Sequence, residues 1–125
     1  MKEPDSLKSI SVLTPSVLQV IIRRIVAATN PDKIILFGSY ATGKPDKDSD
    51  LDLLVIMHSS EPRHRRAPII NRALAGLLIP KDILVYTPEE IEEWKDVPLA
   101  FITQVMKTGV VVYDKKQKVS EPGPV

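Results

Sequence analysis

KIILFGSYATGKPDKDSDLDLLVIM, from Lys33 to Met57, reads as strand, turn and strand. The apolar run Ile34-Ile35-Leu36-Phe37 stops at Gly38-Ser39, and after ten residues, Tyr40 to Ser49, a second run opens with Asp50-Leu51-Asp52 and continues to Met57. Strand side chains alternate with period two at about 3.3 Å per residue, so Asp50 and Asp52 project from one face roughly 6.6 Å apart along the backbone. Two like charges at the mouth of an apolar strand raise each other's pKa and add a desolvation cost, so the pattern calls for a cation. Glycine directly after a strand permits a tight turn or close approach of a ligand, and the serine offers a hydroxyl and an amide. If Ser39 to Thr42 form a helical turn, its amides favour a phosphate. A Gly-Ser pair alone is usually only a turn.

The 125 residues suit one domain with a single core. A hydrophobic fraction of 43% with 26% charged residues is that of a globular protein. No apolar run approaches the roughly 18 residues of a membrane span, and the acidic, proline-containing start is not read as a signal peptide. Cytoplasmic residence, with no membrane partner, is therefore the expectation. Lacking cysteine, the chain has no disulfides or thiolate metal ligands, and carboxylates and two histidines remain. A net charge of +1 gives no general attraction to nucleic acid, so direct nucleic-acid binding is not expected and any basic contact is local.

Outward from the central stretch, Thr14-Pro15 marks a helix start, with a helix to about Thr29 and an apolar stripe of Leu18, Ile21, Ile22, Ile25 and Val26. Residues 1–13 have too weak a pattern to assign. A second long helix is expected within Pro62 to Ile79, regular from about Ala67, with Ile70, Ala73, Leu74, Leu77 and Leu78 as its stripe. The cluster Arg63-His64-Arg65-Arg66 reads as a solvated face, or as a holder of nucleotide phosphates or an acidic partner. A third strand, Lys81 to Tyr86, carries Asp82 near its start. Thr87, Pro88 and Glu90 spell a capping box for a helix ending near Trp94-Lys95. A further helix from Pro98, with Phe101, Ile102, Val105 and Met106 inward, closes at Gly109 before a last strand, Val110 to Tyr113. His58 and His64 are weak candidates without metal-ligand spacing. Tyr40 and Tyr86 read as core aromatics more readily than as base-stacking ones.

Strands alternating with helices give an α/β (α+β) domain: a small mixed sheet of about four strands packed against helices. Gly38-Ser39, ten residues and Asp50-x-Asp52, followed by Asp82 on a later strand, resemble the signature of the polymerase beta-like nucleotidyltransferase superfamily. The stretch LFGSYATGKPDKDSDLDLLV is similar to the minimal nucleotidyltransferases of prokaryotes, the small partners of helical HEPN proteins, and the likeness extends through YTPEEIEEWKDVP to about Tyr113. The resemblance implies a polymerase beta-like palm over residues 1–113 with a flexible tail at 114–125. It also implies Asp50, Asp52 and Asp82 as catalytic and metal-binding carboxylates, and Gly38 and Ser39 as holders of the triphosphate.

Nucleotidyl transfer is an in-line displacement at phosphorus that depends on positioning and charge neutralisation. Two divalent ions about 3.5–4 Å apart clamp the attacking and leaving oxygens in such sites, and Mg²⁺ prefers hard oxygen ligands such as these. The resemblance adds that Asp82 completes the acceptor-side site and helps to deprotonate the attacking hydroxyl. An aspartate at this position also serves simply to satisfy turn amides.

Three functions follow. The first is transfer of a nucleoside monophosphate, AMP from ATP, to a hydroxyl on a HEPN toxin, the role of a type VII-like antitoxin. The second is a binding module that neutralises a HEPN ribonuclease by occlusion. The third is transfer to a small molecule or RNA, against which the short chain counts.

Overall fold

A computed structural model describes residues 13–46 and 49–119, with side chains through residue 117. Residues 1–12, left open on sequence, lie outside the described residues, as does the tail beyond 119.

Helix α1 spans Pro15–Thr29, and the Thr14 hydroxyl accepts from the Val17 amide at 3.2 Å, so the capping residue and the following proline fix its start. Its buried face is Val17, Val20, Ile21, Ile22 and Ile25, turned slightly from the expected stripe; Leu18 and Val26 are only partly buried. Strand β1, Lys33–Phe37, leads into a four-residue helix, α2, Ser39–Thr42. Strand β2 covers Leu51–Ile56, so Asp50 stands just ahead of the paired residues rather than within the strand.

Arg63–Arg65 form one 3-10 turn and α3 covers only Ala67–Ala73. The expected helix to Ile79 stops at Ala73: Leu74 caps it with φ −101 and ψ 13, the Ala75 amide returns to the Arg72 carbonyl at 3.1 Å, and Gly76 then takes the left-handed φ of +95 that glycine enters without steric cost. Leu77 and Ile79 still reach the core, whereas Leu78, expected in the stripe, is 62% exposed. Strand β3, Lys81–Tyr86, and helix α4, Pro88–Trp94, follow, the latter with both hydrogen bonds of the expected capping box. Helix α5 is Phe101–Thr108, and β4 runs from Val110 to Asp114. Lys115–Val119 then form a short helix, α6, so the described part of the segment expected as a tail is the end of a strand and a helical turn.

The sheet order is β3-β2-β1-β4; β1 pairs antiparallel with β2 and β4, and β2 pairs parallel with β3. The two sheet faces bury separate cores. On one, Ile34, Leu36, Leu51, Leu53, Val55, Ile83 and Val85 meet α1 and α3. On the other, Ile35, Leu54 and Ile56 pack beneath Ile102 and Val105 of α5. β1 and β2 are apolar on both faces because both faces are covered, whereas β4 at the edge leaves Val110 and Val111 half exposed. No described helix is long and apolar enough to cross a membrane.

Candidate active site

Register decides which side chains share a face. Along β2, Leu54 and Ile56 belong to the core under α5, so Asp52, two residues before Leu54, projects from that face too. Along β3, Leu84 and Tyr86 belong to the same side, and Asp82 with them. Asp52 and Asp82 are direct partners in the parallel ladder, while Phe37 at the end of β1 is Asp52's antiparallel partner on its other side. Phe37, Asp52 and Asp82 thus form one row across three strands. Asp50 precedes the row and is exposed.

Asp52 feels its neighbours. Burial pushes the Asp52 carboxyl above its usual 3.8, and the charges of Asp82 and Asp50 push it further in the same direction. Among the described residues, no three acidic or imidazole side chains converge into a preformed metal cage. The site is instead a patch of like charge with hard oxygen donors, and its fit to Mg²⁺ rests on that: a divalent cation held by Asp50, Asp52 and Asp82 would remove the repulsion on Asp52.

Gly38 shapes the other side. Its φ of 78 and ψ of −157 lie in a region essentially reserved for glycine, and a Cβ built there would overlap the Asp52 carboxylate and lie 3.1 Å from its Cγ. The glycine is therefore required twice, by backbone conformation and by the approach of Asp52. In α2 the amides of Ala41 and Thr42 return to the Gly38 carbonyl at 3.0 and 3.2 Å, while those of Ser39 and Tyr40 precede the first turn and are not spent on it. These two candidate phosphate donors follow directly on Gly38, the residue that Asp52 approaches. Gly38→Ala is expected to lower the melting temperature, with a backbone cost of about 1–3 kcal/mol, and to displace Asp52. Thermal unfolding and label transfer from α-labelled ATP check it, and wild-type values in both would contradict this account of Gly38.

Other candidates fall elsewhere. His58 lies past the opposite end of β2, 3.5 Å from Asp32 and 4.0 Å from Glu89, and His64 is exposed on the 3-10 turn. Tyr40 packs against the α1-side core. The basic cluster divides: Arg66 is 6% exposed and makes a bidentate pair with Glu90, with nitrogen–oxygen distances of 2.7 and 3.1 Å, so it is committed to the fold rather than to a phosphate or a solvated face. Arg63 lies 4.6 Å from the Tyr86 ring centroid and donates to its hydroxyl at 2.7 Å. Sequence reasoning passed over Phe37, whose position immediately before Gly38 and across from Asp52 was the available signal, and Phe101, whose ring meets Phe37 edge-on at 5.8 Å.

A mixed four-stranded sheet carrying Gly-Ser at the end of one strand and carboxylates on the next two is the palm of a nucleotidyltransferase. The chain belongs to the family described as Polymerase beta, Nucleotidyltransferase, which matches residues 19–118. A candidate protein adenylyltransferase of Methanocaldococcus jannaschii is 35% identical over 81 residues, 65% of this chain and 78% of that protein. The fold resembles the crystal structure of a candidate nucleotidyltransferase from Sulfolobus solfataricus, with a TM-score of 0.59 at 18% identity over 82% of this chain and 81% of the other. The chain is accordingly a nucleotidyltransferase.

Proposed function

We propose that the protein transfers AMP from ATP to a hydroxyl, most simply a tyrosine, on a helical partner of the HEPN type, and that it acts as that toxin's antitoxin. The observation that carries the reading is the row of Asp52 and Asp82 in register on one sheet face, with Asp50 before it and the Gly38-Ser39 turn beside it. In this reading Ser39 and Tyr40 amides hold the triphosphate, Asp50, Asp52 and Asp82 would hold Mg²⁺, and Asp82, on the far strand, also takes the proton of the attacking hydroxyl. The hydroxyl oxygen bonds to the α-phosphorus, the bond to the β-phosphate oxygen breaks, and pyrophosphate leaves. Bound Mg²⁺ supplies charge neutralisation at the phosphates. Protein adenylylation is supported by the name of the Methanocaldococcus jannaschii relative.

Occlusion without transfer is the second reading, favoured by the connection between α4 and α5, where Leu99 is 90% exposed and Val97 44%. Wild type, Asp82→Asn and an Asp50→Asn/Asp52→Asn double variant, each mixed with a HEPN partner, ATP and Mg²⁺, separate the two. Transfer predicts a partner mass gain of one or more AMP with wild type only, and an Asp82→Asn protein that binds ATP but labels nothing. Equal neutralisation by all three proteins without a mass gain would leave occlusion alone.

A further inference from the structure

The face that carries the carboxylates also carries a hollow of about 300 Å³ lined by Arg63, Tyr86, Trp94, Ala100, Phe101 and Ile102. We infer that this hollow is the nucleobase subsite: the base of the NTP lies among Phe101, Trp94 and Tyr86 while its α-phosphate lies at Asp50 and Asp52. The inference deepens the nucleotidyltransferase reading of the site and rests on it.

Three observations carry it. First, Tyr86 and Asp82 project from the same face of β3 four residues apart, about 13 Å along the strand. A nucleotide anchored by its phosphates at the carboxylates therefore extends its nucleoside over this face toward the hollow. Secondly, the hollow is physically joined to the phosphate end: Phe101, one of its walls, meets Phe37 edge-on, and Phe37 precedes Gly38 and pairs with Asp52. Thirdly, its lining has the chemistry of base recognition. Aromatic rings and arginine guanidinium groups are the surfaces on which bases stack. Phe101 is 57% and Trp94 42% exposed, while Arg63 is already fixed on Tyr86 by its ring contact and hydroxyl bond. Apart from Arg63, the Tyr86 hydroxyl and the indole N–H of Trp94 the lining is apolar, so it reads a flat π-face more than the base's hydrogen-bonding edge and should discriminate weakly between ATP and GTP.

The chain's single tryptophan is itself the probe. Trp94 emission, excited at the red edge of its absorption, would be followed during titration with ATP-Mg²⁺, adenosine, sodium tripolyphosphate and N-acetyltyrosinamide, with ATP binding measured in parallel by calorimetry. ATP and adenosine should give saturable changes and tripolyphosphate none. Phe101→Ala should weaken the adenosine and ATP responses about tenfold and raise KM for ATP with little change in kcat, and Phe101→Tyr should restore both. Because Phe101 is largely exposed, Phe101→Ala should unfold as wild type does; Arg63→Ala provides an independent variant that should also weaken the response. Asp50→Asn/Asp52→Asn should lose transfer yet keep the adenosine response. Calorimetric ATP binding with a silent Trp94 and an unaltered Phe101→Ala overturns the subsite and leaves the nucleotidyltransferase reading standing. A response to N-acetyltyrosinamide but not to adenosine overturns it in favour of an acceptor pocket, and absence of ATP binding by any measure overturns both.

Discussion

Asp52→Asn is expected to lower nucleotidyl transfer by at least about a hundred- to a thousandfold, the loss typical when a group that neutralises or positions transition-state charge is removed. The same substitution should make the metal-free protein more resistant to heat. Asp52's carboxyl is held above its ordinary range by burial, then by Asp82 and Asp50. A raised folded-state pKa contributes stability that is present below the unfolded value of 3.8 and is lost as pH rises through the folded value. At neutral pH the ionised Asp52 therefore carries a penalty, and a neutral asparagine relieves it. Metal-free wild type should lose stability relative to Asp52→Asn as pH rises through this titration, and Mg²⁺ with NTP should reverse the order. Ligand at a hundred times its Kd stabilises the native state by about 2.7 kcal/mol, roughly 10 °C in a domain of this size. Most of that gain should be missing in the variant. Scanning calorimetry with and without Mg²⁺-NTP between acid and neutral pH reads both arms, and an undiminished metal-dependent shift in Asp52→Asn would remove this aspartate from the site.

What the chain discloses before it is folded depends on how local the cause is. Asp52 and Asp82 are legible because period-two strands convert their spacing directly into a shared face, on which the structure puts them in register, whereas Asp50, expected on the same strand face as Asp52, stands ahead of β2. The caps at Thr14 and Thr87 are equally local, one hydroxyl and an amide three residues on. Errors arise where a distant partner decides. Nothing near Arg66 in sequence says that its guanidinium goes to Glu90, 24 residues away, so a cluster of like residues read as one surface divides into a buried group, a ring-stacked group and exposed ones. The α3 stripe continues on paper through Leu77 and Leu78, but the helix ends at Ala73 in a run of turns that includes a left-handed Gly76, and the apolar residues beyond it reach the core singly. The helical spacing puts Phe101 in an inward stripe with Ile102 and Val105; at the first position of α5 it is instead 57% exposed, with its ring against Phe37 and in the wall of the hollow.

The largest loss of stability is expected from Arg66→Ala. Arg66 is tied at three points: Nε donates to the Glu61 carbonyl at 2.8 Å, Nη1 to the Val85 carbonyl at 3.2 Å, and both terminal nitrogens to the Glu90 carboxylate. Glu90 is simultaneously the third residue of the α4 capping box, accepting from the Thr87 amide at 2.9 Å. One carboxylate thus fixes the start of α4, and one guanidinium fastens it to the end of β3 and to the segment before the 3-10 turn, which also holds Arg63 and Tyr86 in place. Removing Arg66 leaves two backbone carbonyls short of a partner and a half-buried carboxylate without its counter-ion. Breaking one side of such a pair costs about 3–5 kcal/mol, or roughly 10–20 °C in melting temperature here. Glu90→Gln should cost less, since its amide still accepts from Thr87, and its effect should depend on pH. The hydrogen bond from Arg66 is the main cause holding the Glu90 carboxyl below its usual 4.5. A depressed folded-state pKa contributes stability that is present above the unfolded value and lost as pH falls through the folded one. Wild type should therefore lose its advantage over Glu90→Gln as pH falls below about 4.5 through the folded-state titration, and keep it undiminished above that range. Urea unfolding of both variants at neutral pH and at successively lower pH gives the two numbers. An Arg66→Ala protein as stable as wild type, or a Glu90→Gln deficit that does not shrink in acid, would show that the pair does not hold these elements together.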